Sequence, residues 1–476
     1  MKQFIGIFGR VFIALMTAAV LVLALATSAM AYYTITDLGT LGGTVSSAIG
    51  MNNSGQVVGE SLTGGDVPEE GPIYHAFLYT PGTVIQDLGT LPGGSFSQAQ
   101  GINDSGQVVG WSFLGGTSTT HAFLYTPGTV MQDLGTLGGG YSNGLDINNL
   151  GQVTGYSWTG GVTTYEHAFI YSSGTGMVDL NPLLGGYGSR GQGINNSGEV
   201  LGNYSIIGTA GSTDTHPFLY TPGTGMQVLG TLGGSPCFGQ AINDSGQVAG
   251  WSFLSDNTTA HAFLYSGGKM TDLGTLPGGT YSHAQGINNL GQVVGDSDTA
   301  GGASHAFLYS NGKMIDLNTL IDPSSGWELE YCAGINDLGQ ITGNGSINGQ
   351  YHAFLMTPFL KVTIDIEPWF KPNIIDINLK WLPIPVAILS TPSFNAPKSV
   401  DLDSLTFGHS GNEKSLAFCC PLPVDVNCDK APDLICFFNT GEAGFQCGDT
   451  QGILKGQTKN GTPIQGSDSV KIIPCK

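Results

Sequence analysis

The sequence predicts an all-β chain: a seven-bladed β-propeller closed by its own N-terminal strand, then a small β-sandwich-like domain. Three observations predict it. One motif recurs seven times between Met51 and Phe354: an Ile/Met-Asn-x-x-Gly-Gln/Glu hairpin, then His-Ala-Phe-Leu-Tyr, then Asp-Leu-Gly-Thr-Leu-x-Gly-Gly. The hairpin asparagines, Asn52, Asn103, Asn148, Asn195, Asn243, Asn288 and Asn336, are spaced 45 to 51 residues apart, the period of propeller blades built from short strands. Finally, Tyr33–Leu38 reads as the last strand of a unit yet precedes the first complete hairpin, while the seventh unit lacks that strand.

Residues 1–31 carry Lys2 and Arg10, an apolar run from Val11 to Ala26, and Ala29-Met30-Ala31 as a small-x-small cleavage pattern before Tyr32. A cleaved signal peptide is expected. An uncleaved anchor is the alternative, because Val11–Ala31 is 21 residues, enough to span a bilayer.

The propeller is assigned to residues 32–358. In its first unit four strands are expected, Ser47–Met51, Gln56–Leu62, His75–Thr80 and Val84–Leu88, each bounded by turn residues. Asn52 opens a type I turn and Gly55 supplies the positive φ before the next strand; Pro81-Gly82 closes the other hairpin. The missing strand of the seventh unit is supplied by Tyr33–Leu38, so that no sheet edge is left exposed to aggregation. An open stack of repeats is the alternative architecture.

The recurring His-Ala-Phe at 75–77, 121–123, 167–169, 261–263, 305–307 and 352–354, with His216-Pro217-Phe218 as the one departure, resembles the HAF family of extracellular repeats. The resemblance covers about two thirds of the chain. It implies an extracellular location and no reaction, since that family has none assigned.

From residue 359 to 476 the glycine-rich repeats stop. Strands are expected at Lys361–Ile366, Ile374–Leu379 and Ile384–Leu389, with prolines between them, in a length sufficient for one β-sandwich. Through Val362-Thr-Ile-Asp-Ile-Glu-Pro, Ile384-Pro-Val-Ala-Ile-Leu and Asp425-Val-Asn-Cys-Asp this region resembles a C-terminal module attached to many bacterial exported proteins, which implies an accessory domain. Asp425, Asn427, Asp429 and Asp433 fall at positions 1, 3, 5 and 9 of a calcium loop, so Ca2+ is the expected cofactor. Two departures stand against it: Lys430 replaces the turn glycine and Cys436 replaces the closing glutamate. The other reading is an acidic turn held by a cysteine bridge.

Six of the eight cysteines, Cys419, Cys420, Cys428, Cys436, Cys447 and Cys475, lie in this region, in a chain expected to meet an oxidising compartment. Six allow 15 pairings, and the sequence does not choose among them. Cys237 and Cys332 are expected to be free and buried.

Removing Lys2 and Arg10 leaves 13 basic residues against 35 acids, a net charge near −22. Nucleic acid and anionic membrane surfaces are thereby excluded as partners. With 11% charged residues and 75 glycines, the surface is expected to be rich in Ser, Thr, Asn, Gly and Tyr, suited to hydrogen bonding with a neutral polar ligand.

The repeated polar residues read as scaffold. The histidine strand is third in its blade, about three strand spacings of ~4.8 Å from the inner edge, so equivalent imidazoles are too far apart to share one zinc ion. A histidine bonded between blade backbones is expected. Asp37, Asp87, Asp133, Asp179, Asp272 and Asp316, with Val228 as the exception, read as strand-end caps. No Gly-x-Ser-x-Gly elbow, His-Glu-x-x-His or phosphate-binding lysine motif is present.

Function is expected where the repeats differ. The loop before each histidine runs from six residues (Ser346–Tyr351) to thirteen (Leu62–Tyr74), on the face opposite the Asn-x-x-Gly turns. Tyr141, Tyr187, Tyr281, Trp111, Trp158 and Trp251 sit in or beside the loops and links of that face, where rings can stack on the C–H faces of sugars. Wedging between blades is their other use. Arg190, the one basic residue between Arg10 and Lys269, either orients an anionic ligand such as a uronate or makes a local ion pair.

The function expected first is therefore a secreted, monomeric binding or adhesion protein for an extracellular glycan or protein surface, without catalysis. A glycan-active hydrolase or lyase using acids among Asp66, Glu69, Glu70, Asp296, Asp298, Glu328 and Glu330 is the alternative; a structural surface or matrix component is the third reading.

Overall fold

A computed structural model describes residues 32–67, 71–115, 119–160, 165–181, 188–207 and 213–475. The expected signal segment 1–31 lies outside them. The described chain divides into two units, Thr34–Thr357 and a second made of Tyr32–Tyr33 with Pro358 onward.

The first unit consists of four-stranded antiparallel sheets, one per repeat. After the N-terminal strand β1 (Tyr32–Asp37), the first sheet runs in the order β2 (Ser46–Met51), β3 (Val57–Val67), β4 (Gly71–Tyr79), β5 (Gln86–Asp87). Five further sheets repeat this meander through Asp316. The last repeat has three strands of its own, Trp327–Ile335, Ile341–Ile347 and Gln350–Lys361, and β1 pairs with the third of these.

Turn chemistry explains the meander. In all seven hairpins the glycine, from Gly55 to Gly339, lies at φ between 71 and 77°, as the sequence pattern requires. The fourth strands are shorter than expected, two residues in the first two repeats, and Val84 and Val130 are 85% exposed beside them. Short outer strands limit the unpaired edge each blade presents to water. The expected thirteen-residue loop Leu62–Tyr74 is instead a hairpin extension, with Asp66 opposite Pro72 and Val67 opposite Gly71.

The core is a stack of repeated contacts. The phenylalanines of the motif, Phe77, Phe123, Phe169, Phe218, Phe263, Phe307 and Phe354, are fully buried. Each burial contributes roughly 1.5–3 kcal/mol. The glycine opposite each ring, from Gly59 to Gly343, has no room for a side chain: an added Cβ would lie 1.9–2.3 Å from its nearest neighbour.

Two polar networks join neighbouring sheets. Ser97 Oγ accepts from Ala76 N of the preceding sheet at 2.8 Å and donates to Gly89 O at 2.5 Å, and Ser142 and Ser282 repeat the arrangement. In the fourth repeat Pro217 replaces the alanine and has no N–H to donate; there Cys237 stands where the serine would be. The second network is a cycle. Each hairpin asparagine donates from Nδ2 to the carbonyl of its equivalent in the next repeat at 3.0–3.2 Å, and Asn336 donates to Asn52 O.

In the second unit one four-stranded sheet is ordered Ile364–Ile366, Pro383–Ile388, Leu434–Asn439, Leu416–Cys419. A second contains Val400–Gly408, Gln451–Thr458 and Pro463–Ser469. Both contribute to one apolar core that includes Ile366, Val386, Phe407, Phe438 and Leu454. Cys419–Cys436 and Cys447–Cys475 are disulfides, whereas Cys420 and Cys428 are free. Cys237 and Cys332 are free and buried, as expected.

Candidate functional site: a belt of non-repeated residues and its cleft

The repeated polar residues are structural, with one correction. The histidines do not bridge blade backbones: Nδ1 of His75, His121, His167, His261, His305 and His352 meets Asp87, Asp133, Asp179, Asp272, Asp316 and Asp37 at 2.7–3.0 Å. A carboxylate only accepts, so Nδ1 carries the proton. Each aspartate also caps the backbone amide two residues on, at 2.7–2.9 Å, which is the cap the sequence predicts. For Asp87, burial raises its affinity for a proton, but the bonds from His75 and Gly89 N outweigh this and hold it below the usual range. Val228, opposite Phe218, stands where the other repeats have the aspartate, so His216 lacks the pair.

The Asn hairpins converge on an axial cavity of about 160 Å3. Asn52 and its six equivalents are 3–4% exposed. Each spends its amide on two local backbone N–H groups, the residue four ahead and the next repeat, as Asn52 does with Ser54 N, Gln56 N, Gln56 Oε1 and Asn103 O. This end of the sheets is saturated with internal hydrogen bonds.

At the opposite ends of these strands the repeats diverge. The residue five before each hairpin asparagine and its cross-strand neighbour form the pairs Ser47/Glu60, Gln98/Trp111, Asn143/Tyr156, Arg190/Asn203, Phe238/Trp251, His283/Asp296 and Tyr331/Asn344. No two pairs are alike, although in most repeats the positions beside them are repeated serines, alanines and glycines of the core. Contacts run within pairs and between neighbouring ones. Trp111 Nε1 donates to Gln98 Oε1 at 3.0 Å, Arg190 lies 4.5 Å over the Tyr156 ring, and Trp251 meets His283 edge-on at 5.1 Å. His283 Nδ1 is 3.1 Å from Asp296. Burial pushes the Glu60 carboxyl up against the opposing bond from Gln98, and burial beside Asp296 pushes up the Tyr331 phenol. Asn203 and Asn344 differ: both are buried and bond the backbone of the next first strand, at Gly239 and Ala48.

Part of this belt opens into a cleft of about 710 Å3 bounded by Trp158, Glu166, Arg190, Phe238 and Trp251, with Gln192, Gln240 and Ser205 among its polar groups. Its size and its mixture of aromatic wall and scattered amides fall in the range of small-molecule sites. Three of the residues singled out from sequence, Trp158, Trp251 and Arg190, meet here. The others do not: Trp111 stacks on Phe96 at 5.3 Å, Tyr141 packs on Trp158 at 4.4 Å from the side of the link, and Tyr281 donates to Thr258 O. Tyr187 lies outside the described residues. Arg190 makes the local ion pair, Nε and Nη2 to Glu166 at 2.5 and 3.0 Å, and stays half exposed.

The acids of the catalytic alternative do not share a cleft lining. Asp298 is spent on Thr280 N, Tyr281 N and Thr280 Oγ1, and Glu330 accepts from Ser346. Glu328 lies opposite Ser346 in the outer part of its strand. Glu69, Glu70 and the Asp66 side chain lie outside the described residues. Asp296 alone belongs to the belt.

Asp146 was not singled out from sequence. It stands two residues before Asn148, where the other repeats have Gly50, Gly101, Gly193, Ala241, Gly286 and Gly334. Its two oxygens accept from Ile147 N and Ile194 N at 2.8 Å, and burial pushes its pKa up to about 6.

The proposed calcium residues do not form a cage. Asp433 is fully buried, its oxygens taken by Ser390 N and Val426 N. Asp425 accepts from Asp429 N and Lys430 N, and Asp429 from Ala431 N. Lys430 adopts φ 73° in place of the missing glycine, so the turn forms with its carboxylates occupied by amides. Among the described residues no group of three or more His, Cys, Asp or Glu is arranged to hold a metal ion.

No known family model matches the sequence, and no curated protein matches it. Among solved structures the chain is similar to the β-propeller domain of the Trilobed protease from Pyrococcus furiosus, at 8% identity and TM-score 0.45, over 69% of this chain and 94% of that one. It is also similar to TolB from Acinetobacter baumannii, at 12% identity and TM-score 0.36 over 65% of each chain, and to Trypanosoma rangeli sialidase, at 11% identity and TM-score 0.35 over 69% of this chain and 59% of that one.

Proposed function

We propose that this chain is an extracellular binding protein, a seven-bladed propeller closed by its N-terminal strand, that recognises a glycan through the belt of non-repeated residues on the face opposite the Asn hairpins. The belt carries the reading: the buried phenylalanine, the glycine opposite it and the asparagine cycle recur in every repeat, while this one pair of positions changes each time. The side chains there include Trp111, Trp251, Phe238, Tyr156, Gln98 and Asn143, rings and amides that suit a sugar's apolar face and hydroxyls. The asparagine cycle, the His352–Asp37 pair and the pairing of β1 with the last repeat support ring closure. The signal-like N-terminus, the two disulfides of the second unit and the repeat resemblance support an extracellular location.

The test is binding of purified residues 32–476 to a broad glycan array, with and without Ca2+, against heat-unfolded protein. Saturable signal that requires the fold and falls with Trp251→Ala is expected. Silence of the folded protein across the array would refute glycan recognition, and a signal lost with EDTA would restore a calcium role for the Asp425–Asp429 loop.

A further inference from the structure

Resting on that reading, we infer that the cleft spanning the third to fifth repeats takes a carboxylated sugar residue, with Arg190 as its anion-binding group and Glu166 as an internal substitute for the ligand's carboxylate. Arg190 is the only Lys or Arg between residues 11 and 268, in a mature chain with 35 acids. It sits at a strand position that faces the largest cleft described above, not on a solvated edge. Its guanidinium is held from two sides, by the Tyr156 ring 4.5 Å away and by the bidentate bond to Glu166. That leaves Nη1 without a protein acceptor among the described residues. A planar fork fixed in this way is preorganised for a carboxylate, which it can bind through Nη1 or by displacing Glu166. The ring walls supply the rest of a sugar site: Trp158, Phe238 and Trp251 offer faces for stacking, and Gln192 and Gln240 offer hydroxyl partners. An anion elsewhere on this acidic surface would meet repulsion; here a fixed cation offsets it.

The experiment compares an oligogalacturonide with the same chain after its carboxyls are reduced to alcohols, by calorimetry on residues 32–476, with a sialylated oligosaccharide as a second carboxylate source and a sulfated one as a different anion. The uronide is expected to bind more tightly than its reduced form. Arg190→Gln should weaken the uronide on the order of tenfold, the scale of one lost charged hydrogen bond, and leave the reduced chain unchanged. Glu166→Gln should strengthen the uronide and leave the reduced chain unchanged, an opposite sign that a general loss of fold cannot produce. Trp251→Ala should weaken both. Equal affinity for uronide and reduced chain, or an equal loss on both in Arg190→Gln, overturns the inference while leaving glycan binding intact. Preference for the sulfated chain over both carboxylated ones overturns the inference, whereas preference for the sialylated chain supports it with a sialyl residue as the source of the carboxylate. Failure of every chain to bind the folded protein overturns the underlying glycan reading instead.

Discussion

Asp146 makes the stability of the first unit depend on pH in a direction opposite to that of most carboxylates. Its folded pKa is pushed up to about 6 from an ordinary 3.8. The contribution is therefore fully present below pH 3.8 and is lost as pH rises through about 6. A shift of roughly two units at 1.36 kcal/mol per unit sets an upper limit of about 3 kcal/mol. Asp146→Asn imitates the protonated acid. It keeps one acceptor for Ile147 N or Ile194 N, gives up the other at a constant cost of about 1 kcal/mol, and removes the titration. Relative to the parent chain, the variant should gain stability steadily from about pH 4 to about pH 7, by up to about 3 kcal/mol, and then level off. Urea unfolding read by tryptophan fluorescence suits the first unit. Trp111, Trp158, Trp251 and Trp327 lie in it, whereas Trp369 and Trp381 of the second unit are already 57% and 78% exposed and change little. Every other titrating group is common to both proteins and cancels in the difference. Curves for the two that remain parallel across this range would refute the assignment, as would a gain that grows toward acid.

Four further outcomes follow from the packing. Pro217→Ala introduces a buried N–H with no serine to receive it and should cost about 1–3 kcal/mol; adding Cys237→Ser supplies the acceptor and should recover at least half of that loss, which a double-mutant cycle by thermal denaturation measures. Titration of the native protein with a thiol reagent should modify Cys428 and Cys420, whereas Cys237, its thiol pushed up to about 12 by burial, and Cys332, pushed up likewise, should react only after unfolding in denaturant. Asp37→Ala removes the partner of His352 and the cap on Gly39 N, at about 1 kcal/mol. Removing residues 32–38 should cost far more and produce concentration-dependent association on size-exclusion chromatography, because it uncovers the edge of the strand at Gln350–Lys361.

How much of this was legible in the sequence depended on the range of the interaction. Turns are local, so Gly55 and its equivalents declared their positive φ and Asn52 its hairpin. The supply of a strand by Tyr33–Leu38 was legible too, because a repeat makes a missing element visible by subtraction. The partner of His75 was not. Asp87 is twelve residues away and belongs to a strand only two residues long, so its pairing follows from a register that no periodicity reveals. The length of the loop before His75 misled for a related reason: variation in length suggested an irregular segment, whereas the chain continues its ladder through Asp66 opposite Pro72.

The belt shows where a repeat sequence hides its specific residues. Gln98 lies between Ser97 and Ala99, both buried and both repeated, so a search for variable segments passes over it as one odd letter in a constant run. The pleat changes its meaning: neighbours in a strand point to opposite faces, and the constant letters face the core while the odd one faces away. Antiparallel pairing then sets Gln98 beside Trp111, itself the odd letter of Gly110-Trp111-Ser112. The same logic brings Phe238 beside Trp251 and His283 beside Asp296. A scaffold repeated for stability cannot change its core letters without losing a fully buried phenylalanine or a serine lock, so the positions free to diversify are those whose side chains leave the core. That seven repeats carry seven different pairs is the reason the proposed recognition is placed on the strands as well as on the loops.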